Sequence, residues 1–173
     1  MIRVNDAVLY GVDGICHVTR VTTKIIDGKP EEYYVLHPID QETTTIYVPT
    51  ANETLVSRMH RLLSLDEVIE LIHSIPDEET IWIEDDTKRR ATYGQILLGD
   101  DRRELLKLIK TLYLHAQSLK QGKRKMRAAD EKVLKEAEKQ LYDEFAHVLC
   151  IEPGQVLPFI FRMIGEPEGA LQS

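Results

Sequence analysis

The period of the apolar residues changes near residue 60, and that change constrains the fold more than any single motif. Before it, β-branched, aromatic and aliphatic residues come in short runs: VNDAVLYGVDGICHVTRV, then EEYYVLHP, then TTTIYVPT. Gly11, Gly14, Asp27-Gly28 and Pro38 part these runs. After it, apolar residues recur three and four positions apart, as on one face of a helix. The chain therefore reads as α+β: a β module over residues 1–60, followed by an all-α module over 61–173.

In the first module, Asp27-Gly28 suits the tight turn of a β-hairpin, because both central residues of such a turn take positive φ. Tyr33 to Leu36 and Thr43 to Val48 read as further strands, each ended by a proline. Short strands at regular spacing indicate a small, highly curved sheet or barrel. In the second module, Ser64-Leu65-Asp66-Glu67 has the form of a capping box, and Pro76 stops the helix it opens. Further helices are expected over Arg90 to Leu98, Arg102 to Leu119, Ala128 to Leu149 and Val156 to Ile164, with a loose tail beyond.

Charge divides the chain again. The net charge is −7, yet Lys88, Arg89, Arg90, Arg102, Arg103, Lys107, Lys110, Lys120, Lys123, Arg124, Lys125 and Arg127 are opposed over their stretch only by Asp100, Asp101 and Glu104. Trp82, the one tryptophan, lies just upstream. A local basic face in an acidic protein points to phosphate contacts at one place on the surface. Lysines and arginines on helices also serve as a plain solvated face, and a lone tryptophan is often a core anchor. Ile81 and Ile83 flank Trp82, so in an extended segment they face away from it and leave it exposed.

Other chemistry finds little support. No run of 18 apolar residues would cross a membrane, and the N-terminus lacks a signal-peptide pattern, so a cytoplasmic location is expected. Cys16 and Cys150 make no zinc or disulfide pattern, and Cys16 reads as a packed residue rather than a nucleophile. The GVDG stretch at 11–14 lacks the GK[ST] of a phosphate loop. No catalytic residue, metal site, cofactor or small-molecule substrate is expected, and the protein reads as a non-enzyme.

Particular residues carry a resemblance. Val8-Leu9-Tyr10, Gly14, Glu32-Tyr33 before Val35-Leu36, the run ending Val48-Pro49, and Arg58 resemble the CarD/CdnL-type bacterial transcription regulators. The N-terminal module of that family is shared with transcription-repair coupling factor, where it binds RNA polymerase. Leu65-Asp66-Glu67-Val68, Trp82, the basic cluster, Gly99-Asp100 and a long helix extend the resemblance over residues 1–150.

The resemblance implies a Tudor-like β barrel that docks on the polymerase β subunit by adding a strand to its sheet. It implies a helical domain on promoter DNA, with Trp82 in the place of a tryptophan that wedges into the minor groove at the upstream edge of the bubble and stabilises the open complex. Lys24 and Tyr47 stand where relatives often carry polymerase-facing arginines. Lysine keeps the charge without the guanidinium fork, and tyrosine loses the charge. The expected polymerase contacts are then Lys24, Thr45, Ile46, Tyr47, Val48 and Pro49. The expected DNA contacts are Trp82, Lys88, Arg89, Arg90, Lys123, Arg124 and Lys125, in a sequence-tolerant mode. Glu84-Asp85-Asp86, directly after Trp82, run against such contacts. They leave open a second reading, in which the helices bind another protein and not DNA.

Overall fold

The structure, a computed structural model, describes residues 1–165; the loose tail expected past Gly165 lies outside the described residues. The chain divides into two compact units, Met1–Leu62 and Leu63–Ser173.

The first unit is an antiparallel sheet of five strands: β1 (Ala7–Tyr10), β2 (Ile15–Ile26), β3 (Lys29–Pro38), β4 (Ile46–Pro49) and β5 (Met59–Arg61). Their order is β4-β3-β2-β1-β5. A short helix, α1 (Glu53–Val56), joins β4 to β5. The β2–β3 turn is the expected one: Asp27 and Gly28 both have positive φ, 50° and 77°, as a primed two-residue turn requires. At Thr19 the register of β2 slips between Val18 and Arg20, and the Thr19 hydroxyl donates to the Val35 carbonyl at 3.2 Å. Such a bulge bends a strand and increases its twist. One face of the sheet buries Val8, Cys16, Val18, Leu36, Val48 and Met59 as its core.

Two expectations change here. The sheet is not a closed barrel, because β4 and β5 stand at opposite ends of the strand order with no ladder between them. The strand expected from Thr43 begins only at Ile46, because the Thr44 amide turns back to the Gln41 carbonyl at 3.0 Å.

The second unit holds α2 (Leu65–Ser74), α3 (Asp86–Leu98), α4 (Arg102–Gln121), α5 (Ala128–Leu149) and α6 (Val156–Ile164). Ser64 and Glu67 form the expected capping box, and a 3-10 turn at Ile75–Asp77 follows α2 at Pro76. Helix α3 starts four residues before the expected Arg90, because Asp85 caps it by accepting the Lys88 amide at 2.7 Å. The apolar stripe of α4, Leu105, Leu108, Ile109 and Leu112, meets Ala137, Leu141 and Phe145 of α5, with Val68 and Ile72 of α2 and Ile160 of α6 completing the core.

Charged side chains are buried in this unit, Glu144 deepest among them. Glu144 is 1% exposed. Its carboxylate accepts two N–H groups of Arg102, at 3.1 and 3.2 Å, and the backbone amide of Leu63 at 2.9 Å. The pair thereby ties the first residue of the helical unit to α5.

Phe145 is fully buried among these helices. Phe145→Ala is expected to cost about 3–5 kcal/mol. Chemical denaturation followed by far-UV circular dichroism measures it; a loss under about 1 kcal/mol would place the core elsewhere.

Candidate functional site

Trp82 sits in the extended segment between the turn after α2 and the start of α3. That segment is held from two sides at Ile81. Its amide donates to the Thr111 hydroxyl on α4 at 2.9 Å, and its carbonyl accepts the Tyr93 hydroxyl on α3, also at 2.9 Å. Burial pushes the Tyr93 pKa above its ordinary value. The indole then stacks on His115, with ring centroids 3.8 Å apart and planes inclined by 21°. Its Nε1–H donates to Glu84 at 3.0 Å, and the Arg89 guanidinium lies 4.6 Å from the ring centre. The indole that alternation leaves exposed is half-buried here. Ile81, Trp82 and Ile83 are all half-buried and pack against the helical core.

Arg89 departs furthest from expectation. It is 4% exposed, and every one of its guanidinium N–H groups has work to do within the fold. Nε and Nη2 grip the two oxygens of Asp130 at 3.0 and 3.1 Å. Nη2 also donates to Asp86 at 2.7 Å, and Nη1 donates to the carbonyls of Ile83 and Glu84 at 2.9 and 3.2 Å. A guanidinium offers five donors in a fixed fork, and all are spent. Arg89 is therefore removed from the expected DNA contacts. It is the strut that joins α3, α5 and the Trp82 segment.

The acidic run is absorbed in the same way. Glu84 receives the indole N–H, Asp85 caps α3, and Asp86 pairs with Arg89 and with Arg127. The hydrogen bond from Arg89, with Arg127 adding, holds the Asp86 carboxyl below the usual carboxylate range.

The Asp86–Arg127 pair brings the α4–α5 connection beside the start of α3. Exposed Lys88 and Arg90 on α3 and exposed Lys123, Arg124 and Lys125 in that connection thus share one end of the unit with Trp82. The connection itself is held, since the Arg124 amide donates to Leu119 at 2.8 Å and Lys123 takes a φ of 56°. Other members of the basic zone are committed inside the unit. Arg102 pairs with Glu144, Arg103 with Glu78 and Lys107 with Glu104, while Lys110 donates to the carbonyls of Ile75, Pro76 and Glu78.

In the β unit, the expected polymerase contacts gather on β4 and its flank. Only β3 pairs with β4, so its other side is an open edge. The Thr50 amide donates to Glu32 at 2.9 Å, and pairs Tyr34–Val48 and Leu36–Ile46 follow in register. Hydrogen-bonded and non-bonded pairs alternate in an antiparallel ladder. Ile46 and Val48 therefore direct their backbone groups toward β3, while Thr45, Tyr47 and Pro49 direct theirs outward. Pro49, lacking an N–H, occupies an outward position where β3 loses nothing.

The side chains divide likewise. Val48 is fully buried, which corrects it as a side-chain contact for a partner, and Ile46 is partly buried against the same core. Tyr47 is 39% exposed. Lys24 places its ammonium 3.4 Å from the Tyr47 ring centre, and Tyr33 meets that ring edge-on at 6.3 Å. The two positions that the resemblance singled out, Lys24 and Tyr47, are thus in direct contact.

Cys16 is buried, its thiol pushed up to about 11 by burial, and it packs in the sheet core. Among the described residues no three His, Cys, Asp or Glu side chains gather as a metal would need, and no helix is long and apolar enough to cross a membrane.

Residues 2–60 match the family model of the CarD-like/TRCF RID domain. The β unit is a CarD-like/TRCF RID domain. No curated protein matches the chain.

The roles read for the arginines separate by experiment. Arg89→Met and Asp130→Asn are each expected to lower folding stability by about 3–5 kcal/mol, as breaking a buried pair does. Reversing Lys123 and Arg124 together to Glu should leave the thermal midpoint nearly unchanged, since exposed substitutions cost about 0.5 kcal/mol or less. A wild-type melt for Arg89→Met would return that residue to the solvated face.

Proposed function

We propose that this protein is a non-enzymatic transcription factor that binds RNA polymerase through its β unit and promoter DNA through its helical unit, and that it modulates the stability of the open complex. The RID-domain match supports the polymerase-interacting role. The observation that carries the rest is the grouping of Trp82 with five exposed basic side chains at one end of the helical unit. Phosphate contacts from Lys88, Arg90, Lys123, Arg124 and Lys125 would position the unit without reading sequence. The half-exposed indole would contact a distorted step, where an apolar ring offsets lost base stacking. The acidic run after Trp82 no longer speaks against this reading, because its three carboxylates are engaged within the fold.

On the polymerase side, the reading is β-augmentation: the open edge of β4 adds to a sheet of the polymerase β subunit. The bulged five-stranded sheet supports a Tudor-like, incompletely closed form of the domain. The register supplies a discriminating test. Tyr47→Pro removes an outward N–H while sparing the ladder to β3; Tyr47→Thr changes the side chain and keeps the N–H. The first is expected to abolish capture of core polymerase in a pull-down, and the second to weaken it less. Equal capture by wild type and Tyr47→Pro would rule out strand addition at β4.

On the DNA side, about three to five phosphate contacts give log affinity falling with log salt at about −0.9 per contact. A flat salt response would favour a protein-only adaptor. Trp82→Ala is expected to leave polymerase capture and duplex affinity nearly intact. It should shorten the open-complex lifetime roughly 5- to 150-fold, as loss of about 1–3 kcal/mol of base stacking predicts. A lifetime matching wild type, measured by competitor-challenged decay, would exclude the wedge.

A further inference from the structure

Trp82 and His115 lie face to face, 3.8 Å between centroids and 21° between planes. Thr111, one turn before His115 on α4, holds the Ile81 amide at 2.9 Å. Helix α4 therefore grips the tryptophan segment at two successive turns of one face, once by the backbone and once by the ring. Glu84 fixes the indole edge through Nε1–H, and Arg89 holds the carbonyls of Ile83 and Glu84 just beyond. The indole cannot turn about its side-chain bonds without leaving the imidazole.

We infer that His115 is a positioning residue for Trp82, backing the indole so that its remaining surface is presented to a distorted base step in a fixed plane. The inference rests on the reading of Trp82 as a DNA contact. An aliphatic side chain of similar size would fill the space under the indole but would not hold its plane; aromatic pairs prefer defined stacked geometries. A ring already fixed in its binding orientation loses less freedom when it inserts.

The stack is built for the neutral imidazole. The charged groups around His115 are Arg89 from α3, Asp130 from α5 and Glu84 from the tryptophan segment. Burial first, and Arg89 with it, hold the His115 pKa below its ordinary 6.5, outweighing the two carboxylates. The folded protein therefore takes up this proton less readily than the unfolded chain. The stability the stack supplies is complete above about pH 6.5 and is lost as pH falls through the folded-state value.

Trp82 is the only tryptophan, so emission excited where tyrosine does not absorb reports on this ring alone in the full-length protein. A protonated imidazole in contact with an indole quenches it. Wild-type emission is expected to fall on acidification with a midpoint below 6.5, and His115→Phe should abolish that titration while keeping the ring fixed. His115→Leu should lower the anisotropy and shorten the open-complex lifetime roughly 2- to 13-fold, the value of one aromatic pair, with duplex affinity and polymerase capture unchanged. His115→Phe should restore the lifetime.

If Trp82→Ala shortens the lifetime and His115→Leu does not, positioning by His115 is refuted and the DNA role of Trp82 stands. If Trp82→Ala itself has no effect, the DNA reading falls and takes the inference with it. Equal loss of melting temperature in the Leu and Phe variants, with lifetimes tracking stability, would make His115 a packing residue and overturn the inference.

Discussion

The helical unit turns on the ion pair between Arg89 and Asp130. Each side chain is about 5% exposed, so both charges have left water at a cost of several kcal/mol apiece. What offsets that cost is completeness. The carboxylate meets the guanidinium with both oxygens, and the remaining N–H groups find Asp86 and two carbonyls. Hydrogen bonds to ionised groups in this geometry are among the stronger ones in proteins. Because the carbonyls belong to Ile83 and Glu84, the same guanidinium that joins α3 to α5 also shapes the segment bearing Trp82. Packing and presentation of the tryptophan are a single problem here.

The β unit answers a different constraint. Its core of Val8, Cys16, Val18, Leu36, Val48 and Met59 lies on one face of the sheet, so the alternation along β4 decides what each residue is for. Val48 and Ile46 serve the core, and Tyr47 between them serves the surface. The bulge at Thr19 lets β2 follow the bend that this core demands. The opposite face carries Lys24 against Tyr47 and Tyr33, a cation over an aromatic ring. The face of the ring attracts the ammonium electrostatically.

Much of this was legible in the sequence because it is local. Asp27-Gly28 specifies its turn through φ, Ser64 and Glu67 specify their cap, and the apolar stripe of α4 specifies its buried side. Legibility failed where partners are far apart along the chain. Nothing near Arg89 announces that Asp130 will take its charge, and nothing near Trp82 announces His115. A run of basic residues reads as one patch, yet the fold divides it: Arg89, Arg102 and Lys110 turn inward while Lys88, Arg90 and Lys123 stay outside. Strand alternation placed Trp82 in solvent because it assumed a sheet-like environment. Its segment instead lies across helices, which cover both sides of an extended chain. Conversely, Asp85 and Asp86 looked like repulsive charges, when one is a helix cap and the other an ion-pair partner. The open sheet was not legible either, since closure depends on the reach of two short terminal strands.

The edge of β4 is open, and an open edge can invite copies of itself. Exposed strand edges template fibrils and domain swaps, and a protein that keeps one open carries that hazard throughout its life. Here the hazard is confined by length. A turn at Gln41–Thr44 precedes the strand, and Pro49 ends it with no N–H to offer. Between them a foreign strand finds one residue, Tyr47, with both donor and acceptor facing out from within the strand. Such a short register rewards a partner that adds side-chain contacts of its own. It gives little to a second copy of the same edge, so selectivity against self-association is written into where the strand stops.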